Sequence, residues 1–201
     1  MSDFKKEWFG KSQVDYFSNF VNLWLACNSW YNFHYSLSND REHINKVKTD
    51  FSNTNKIYKE FKILFNGGLT KEQKSLFSNI ELLHYSLNRN SLMPKNFIKS
   101  LNFESVLLDY SQKASVSGYG DIVVKNAKTL TGKLKTNVKG IDLGDIVLVD
   151  DDRKVFAGLF EIIYQVRCLL IHGELEPTEE NNEVIKYCYL ILFDLMKPFC
   201  S

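Results

Sequence analysis

The 201-residue chain predicts a mainly α protein, a helical bundle with a small β-hairpin insertion before the penultimate helix. Three observations carry this prediction. Apolar residues recur at helical spacing through most of the chain, two short β-branched runs fall after residue 120, and capping residues punctuate the periodic stretches. No internal repeat divides the chain, so residues 1–201 read as one domain with an insertion at about 115–150. Hydrophobic content of 44% and charged content of 24% fit a chain able to bury a core and exclude a disordered one.

Each element follows from local chemistry. Ser12 and Asp15 resemble a capping box, after which Val14, Phe17, Val21, Trp24 and Leu25 recur at helical spacing to about Tyr35. A second helical region starts at Asn39 or Asp40, with Ile44, Val47, Ile57, Phe61 and Leu64 on one side. Its polar patch at residues 49–55 is where it would divide. Asn66-Gly67-Gly68 ends it, since glycine accepts the left-handed conformation that closes helices. Thr70 with Gln73 opens a helix carrying Leu76, Ile80, Leu83 and Leu87. Residues 88–94 are expected as a loop and 97–110 as a shorter helix. The runs 121–124 and 146–149 are expected as two strands. Asp150, Asp151 and Asp152 suit the positive end of a helix over 153–171, stopped at His172-Gly173. Pro177 and Thr178, with Glu179 and Glu180, open the last helix, which carries Val184, Tyr187, Leu190, Ile191 and Leu195.

Several function classes are excluded. Net charge is +1, so any basic surface must be local. Residues 1–10 lack the apolar core of a secretory signal, and Glu161, Gln165 and Arg167 interrupt the longest apolar stretch, 155–171. No membrane partner is therefore expected. Cys27, Cys168, Cys188 and Cys200 show no CxxC spacing and read as reduced thiols of a cytoplasmic protein. His34, His43 and His84 have no metal-ligand spacing, and no P-loop, dinucleotide fingerprint or nucleophile elbow occurs. No metal and no cofactor are expected.

The candidate site is the pair Arg167 and His172, in the run Gln165-Val166-Arg167-Cys168-Leu169-Leu170-Ile171-His172-Gly173. Arginine is rarely buried unless paired, and here it stands within an apolar stripe with Phe156, Phe160, Ile163 and Leu170. A fixed cation and a ring that titrates near neutrality suit a reaction at phosphate. On an ideal helix, at about 100° per residue, His172 falls roughly 140° from Arg167. Convergence then needs a turn at His172-Gly173 or a second copy of the chain. A stripe too wide for one bundle face favours a homodimer. The plainer reading is a buried arginine paired with Glu161 or another acid, beside a helix-terminal histidine favoured by the dipole.

This constellation, on the penultimate helix of a helical bundle, resembles the HEPN superfamily of nucleotide-binding domains. Its signature is an arginine, four to six arbitrary residues and a histidine, matched by Arg167-Cys-Leu-Leu-Ile-His172. Gly173, the apolar helix before Arg167, and the stretch with Phe20, Trp24, Asn28, Trp30 and Tyr31 are also similar to family members. The resemblance implies a metal-independent endoribonuclease acting as a homodimer, with RNA as substrate. His172 would assist attack by the 2′-hydroxyl or protonate the leaving oxygen, and Arg167 would stabilise charge on the phosphate. Members often act as toxins or in defence against phage, so a protein inhibitor or antitoxin is a further expected partner. Many active members carry Asn, Asp or His after the arginine, where this chain has Cys168. That departure keeps open a non-catalytic RNA- or nucleotide-binding module, and beside it a protein-interaction bundle. One subgroup has a modifiable tyrosine two residues after the histidine; Glu174 stands there instead.

Further residues are candidates around the pair. Tyr164, one turn before Arg167, and Asn28 and Cys168 are positioned to orient it or touch substrate. Lys125, Lys128, Lys133, Lys135 and Lys139 occur with no acid between residues 122 and 141. A solvated loop is the plainer reading of that segment, and a backbone clamp for single-stranded RNA the functional one.

Overall fold

The computed structural model describes Lys5 and residues 14–92, 100–107 and 119–200, and it is a mainly helical bundle. Helix α1 spans Tyr16–Tyr35, α2 Asp40–Thr49, α3 Lys56–Phe65, α4 Lys71–Ser91 and α5 Phe103–Leu107. A 3-10 turn at Tyr119–Asp121 leads into an antiparallel pair, β1 Ile141–Asp142 and β2 Val147–Leu148. Helices α6, Asp152–Ile171, and α7, Glu179–Cys200, complete the order. The hairpin therefore lies before the penultimate helix, where the periodicity switches from helical to alternating.

The caps explain most boundaries. Asp15, Asn39, Asn55, Thr70 and Asp151 each accept a backbone N–H of the first turn from their side chains, satisfying donors that a helix start leaves unpaired. Asp15 is thus the cap of α1, not the third residue of a capping box; Ser12 lies outside the described residues. The polar patch divides α2 from α3 because Asn55 caps α3 while its amide donates to the carbonyls of Val47 and Asp50, both at 2.8 Å. Helix α4 runs on through Ser91, past the loop start expected at Asn88, because Leu87 and Asn90 are buried and continue its inner face. Of the helix expected over 97–110, Phe103–Leu107 is seen; residues 93–99 and 108–118 lie outside those described.

The strand expectation is corrected in its first member. Residues 121–124 contribute only a bridge, Val123 with Leu148, and the strand paired with β2 is Ile141–Asp142. Tyr119–Asp121 closes a 3-10 turn first, leaving that run too short to ladder. Gly140, next to β1, permits the approach: a Cβ there would lie 2.5 Å from the Leu148 carbonyl oxygen.

Helix α7 packs chiefly against α4 and α1, and α6 against α2, α3 and the 3-10 turn. Every residue of α6 from Val155 to Tyr164 is buried. The wide apolar stripe is covered by the chain itself: Tyr119 and Ile122 lie against Gly158, and aromatic rings of α1 and α3 meet Phe156 and Phe160. Stripe width alone therefore does not call for a second copy, since the insertion covers the face that seemed surplus.

Inside this layer is a buried charge cluster. Glu161 is 1% exposed and accepts from Lys48, which is fully buried, from Arg41 at 2.7 Å and from Gln165 at 2.8 Å. Arg41 and Lys48 are seven residues apart, two turns on one face of α2, so both reach the same carboxylate. Burial pushes the Glu161 carboxyl up, but the Lys48 hydrogen bond and charge, with Arg41 and Gln165, hold it below the usual glutamate range.

Glu161→Gln strands the Lys48 ammonium without its counter-charge and should cost about 3–5 kcal/mol in urea unfolding at neutral pH. Because the folded carboxyl is depressed, its contribution is present above the ordinary glutamate value and is lost as pH falls through the depressed one. The gap between wild type and variant should therefore narrow on acidification.

Candidate functional site

Helix α6 carries both signature residues, and its end is set by backbone geometry. The Gly173 N–H donates to the Leu170 carbonyl at 3.2 Å and the Glu174 N–H to Leu169 at 3.1 Å. Those two bonds, with Gly173 at φ +70°, make a Schellman stop with His172 as its cap. His172 keeps near-helical dihedrals of −77° and 1°, so the chain turns after it and not before. The turn that would swing His172 toward Arg167 within one chain is not taken.

Arg167 points inward. Its Nη1 donates to Asp40 Oδ2 at 3.1 Å and lies 3.8 Å from Cys168 Sγ. The guanidinium carbon stands 5.6 Å over the Trp24 ring and 5.9 Å from that of Tyr164, a cation–π seat between α1 and α6. Its side chain is 16% exposed, so part of it still meets solvent. Nε is buried and makes no hydrogen bond among the described residues, as is true of the neighbouring Trp24 Nε1. His172 is exposed and makes no side-chain hydrogen bond, ion pair or ring contact with a described residue. Arg167 and His172 thus share one helix without touching.

The acid facing Arg167 was not singled out by sequence. Asp40 opens α2 and also accepts the Tyr31 hydroxyl on its other oxygen. Burial, then Asp40, drives the Tyr31 phenol upward, so it remains a donor. His43 fixes the connection that delivers Asp40: Nε2 accepts the Leu37 N–H at 2.9 Å, and Nδ1 lies 2.9 Å from the Asn39 carbonyl. Glu161, the acid named as a partner for Arg167, is instead taken by Lys48 and Arg41. A signal existed. Arg41 and Lys48 fall in the stripe of Ile44 and Val47, charges on a buried face that ask for an acid opposite.

The remaining candidates separate. Tyr164 lies beneath Arg41, at 5.2 Å, and Arg167; burial and then a Cys168 hydrogen bond raise its phenol. Cys168 is half-buried against the same group. Asn28 bonds to Asn32 on its own helix and reaches neither signature residue. Lys125, Lys133, Lys135 and Lys139 are exposed on the insertion, whereas Lys128 is bound to Asp142 at 2.7 Å and to the Gly144 carbonyl.

The whole cluster holds three cations, Arg41, Lys48 and Arg167, against two carboxylates, Asp40 and Glu161. Its exposed edge carries Arg41, Arg167 and Asp40, two cations to one carboxylate, a balance that favours an anion. Among the described residues no group of three or more His, Cys, Asp or Glu could hold a metal ion, and no helix is long and apolar enough to cross a membrane. Comparison with protein-family models, curated proteins and solved structures finds no match.

Asp40→Ala leaves the guanidinium of Arg167 and the Tyr31 hydroxyl without their acceptor. It should lower unfolding stability by about 1–3 kcal/mol. Urea titration beside Asp40→Ala/Arg167→Met, where the stranded charge is removed too, should show part of that loss recovered.

Proposed function

We propose that the chain is a metal-independent endoribonuclease of HEPN type that works as a homodimer. The observation that carries this reading is the end of α6. A partly exposed arginine in a net-positive cluster is followed, five residues on, by an unengaged histidine at a fixed helix stop. Because the two do not meet in one subunit, the dimer is needed to place two such pairs across one groove. RNA is the substrate. His172 takes the proton of the 2′-hydroxyl as its oxygen attacks phosphorus, and a second His172 protonates the departing 5′-oxygen. The products are a 2′,3′-cyclic phosphate and a free 5′-hydroxyl. Arg167 offers N–H groups to the phosphoryl oxygens as charge develops there.

Asp40 bears on this chemistry. It orients the guanidinium through Nη1 and partly neutralises it, so phosphate would bind through the remaining edge. A cytoplasmic toxin or anti-phage effector, held by a protein inhibitor or antitoxin, is the biological role that fits such an activity. A second reading, an RNA- or nucleotide-binding module without cleavage, is favoured by Cys168 beside Arg167, where its thiol offers little help to a phosphate.

The test is RNA cleavage in the presence of a chelator. Wild type should cut, and Arg167→Ala and His172→Ala should each lose about 10²-fold or more. Both variants should keep the wild-type dimer by size-exclusion chromatography with light scattering. Unchanged cleavage by His172→Ala, or a monomer that cuts at full rate, would remove the assignment.

A further inference from the structure

The insertion carries a basic surface that the Arg167–His172 site does not use. Residues 127–135 form a tight antiparallel turn: the Thr129 N–H donates to the Lys133 carbonyl at 2.8 Å and Lys135 to Ala127 at 3.0 Å. Lys128 faces Leu134 across the bridge, so Lys133 and Lys135 share the opposite face. Both are exposed, as are Lys125 and Lys139, and none of the four makes an ion pair with a described residue. Lys128 is different: held by Asp142 and the Gly144 carbonyl, it is the clasp that closes the hairpin base. Locally the balance is one-sided, with no acid between residues 122 and 141 to offset the lysines.

The hairpin is also fixed to the body. Ile122 and Leu148 are fully buried, Val149 donates to the Ile122 carbonyl at 2.9 Å, and Glu81 of α4 accepts the Asp145 N–H. Cations on an anchored segment lose less freedom on binding than those on a free loop would.

We propose that this hairpin is a sequence-blind grip for the nucleic-acid backbone, an exosite separate from the reacting pair. The inference rests on the reading of RNA as the substrate and deepens it. Lys133 and Lys135, two residues apart on an extended segment, stand about 6.6 Å apart along the backbone, close to the step between successive phosphates. Lysines act as point charges without arginine's planar fork, and contacts to phosphate carry no sequence information. No aromatic side chain is exposed among residues 121–150, so bases have nothing to stack on. A lipid surface fits less well, because Leu130 is the only large apolar side chain fully exposed on the hairpin. A grip of this kind senses phosphates and ignores both base and sugar, so DNA should serve as well as RNA.

Binding of fluorescent oligouridylate and oligothymidylate 20-mers tests this, in chelator, with His172→Ala as the uncleaving background. Both oligomers should bind with similar affinity, and the logarithmic salt slope should be about −2 to −3 if the four lysines neutralise phosphates. Adding K125E/K133E/K135E/K139E should weaken binding at least tenfold and flatten the slope. The same four positions changed to Gln should give a smaller loss, with an unchanged circular dichroism spectrum and melting temperature excluding misfolding. Oligomer binding unaffected by either set would overturn the grip and leave the ribonuclease reading standing. Binding only to phosphatidylserine vesicles, or to neither oligomer, would overturn it as well. Lysine-dependent binding in a wild type that never cuts RNA would support the grip and defeat the ribonuclease reading alone.

Discussion

The fold depends on one buried carboxylate. Glu161 sits in the middle of α6 where every neighbour from Val155 to Tyr164 is inaccessible, and an ionised group there is tolerable only with close counter-charges. Lys48 and Arg41 supply them from α2, and Gln165 completes the oxygen shell from the next turn of α6. An apolar pair of similar volume could hold the two helices at least as tightly. What the ions add is orientation, since α2 can satisfy Glu161 only with one face and one axial position.

That constraint extends to the end of α6 that carries Arg167. Asp40 and Arg41 are consecutive, so the same first turn of α2 that answers Glu161 also answers Arg167. The guanidinium is thereby held over Trp24 and Tyr164 at a defined depth, with part of its surface open, while the histidine stands beyond it at the rim. One arrangement can serve both packing and the anion binding proposed above, which is why the paired arginine does not by itself separate the two roles.

Much of the architecture was legible because it is local. Caps at Asn39, Thr70 and Asp151, the glycine stop at Gly173 and the helical period of Ile44, Val47, Ile57 and Phe61 are short-range signals, and they mark helices where the bundle has them. Non-local features were harder. Nothing within four residues of Val123 says that its partner is Leu148 and that β1 begins eighteen residues later. The apolar arc of α6 suggested an uncovered face because the segment that covers it, Tyr119 to Ile122, is more than thirty residues away in sequence. For the site, Arg167 and His172 stood out by chemical type against an apolar background. Asp40 did not, because an acid in the first turn of a helix is commonplace until its partner across the fold is known.

The opposite signs of Asp40 and Arg41 have a consequence for assembly of the bundle. Sliding α2 by one residue so that Arg41 takes the place of Asp40 would set a cation against Arg167 and bring Glu42 to face Glu161, turning two attractions into two repulsions. Slid the other way, Asp40 would face Glu161 and the neutral Asn39 would leave Arg167 without its acceptor, so the dipeptide works as a key with two teeth that fits in one register.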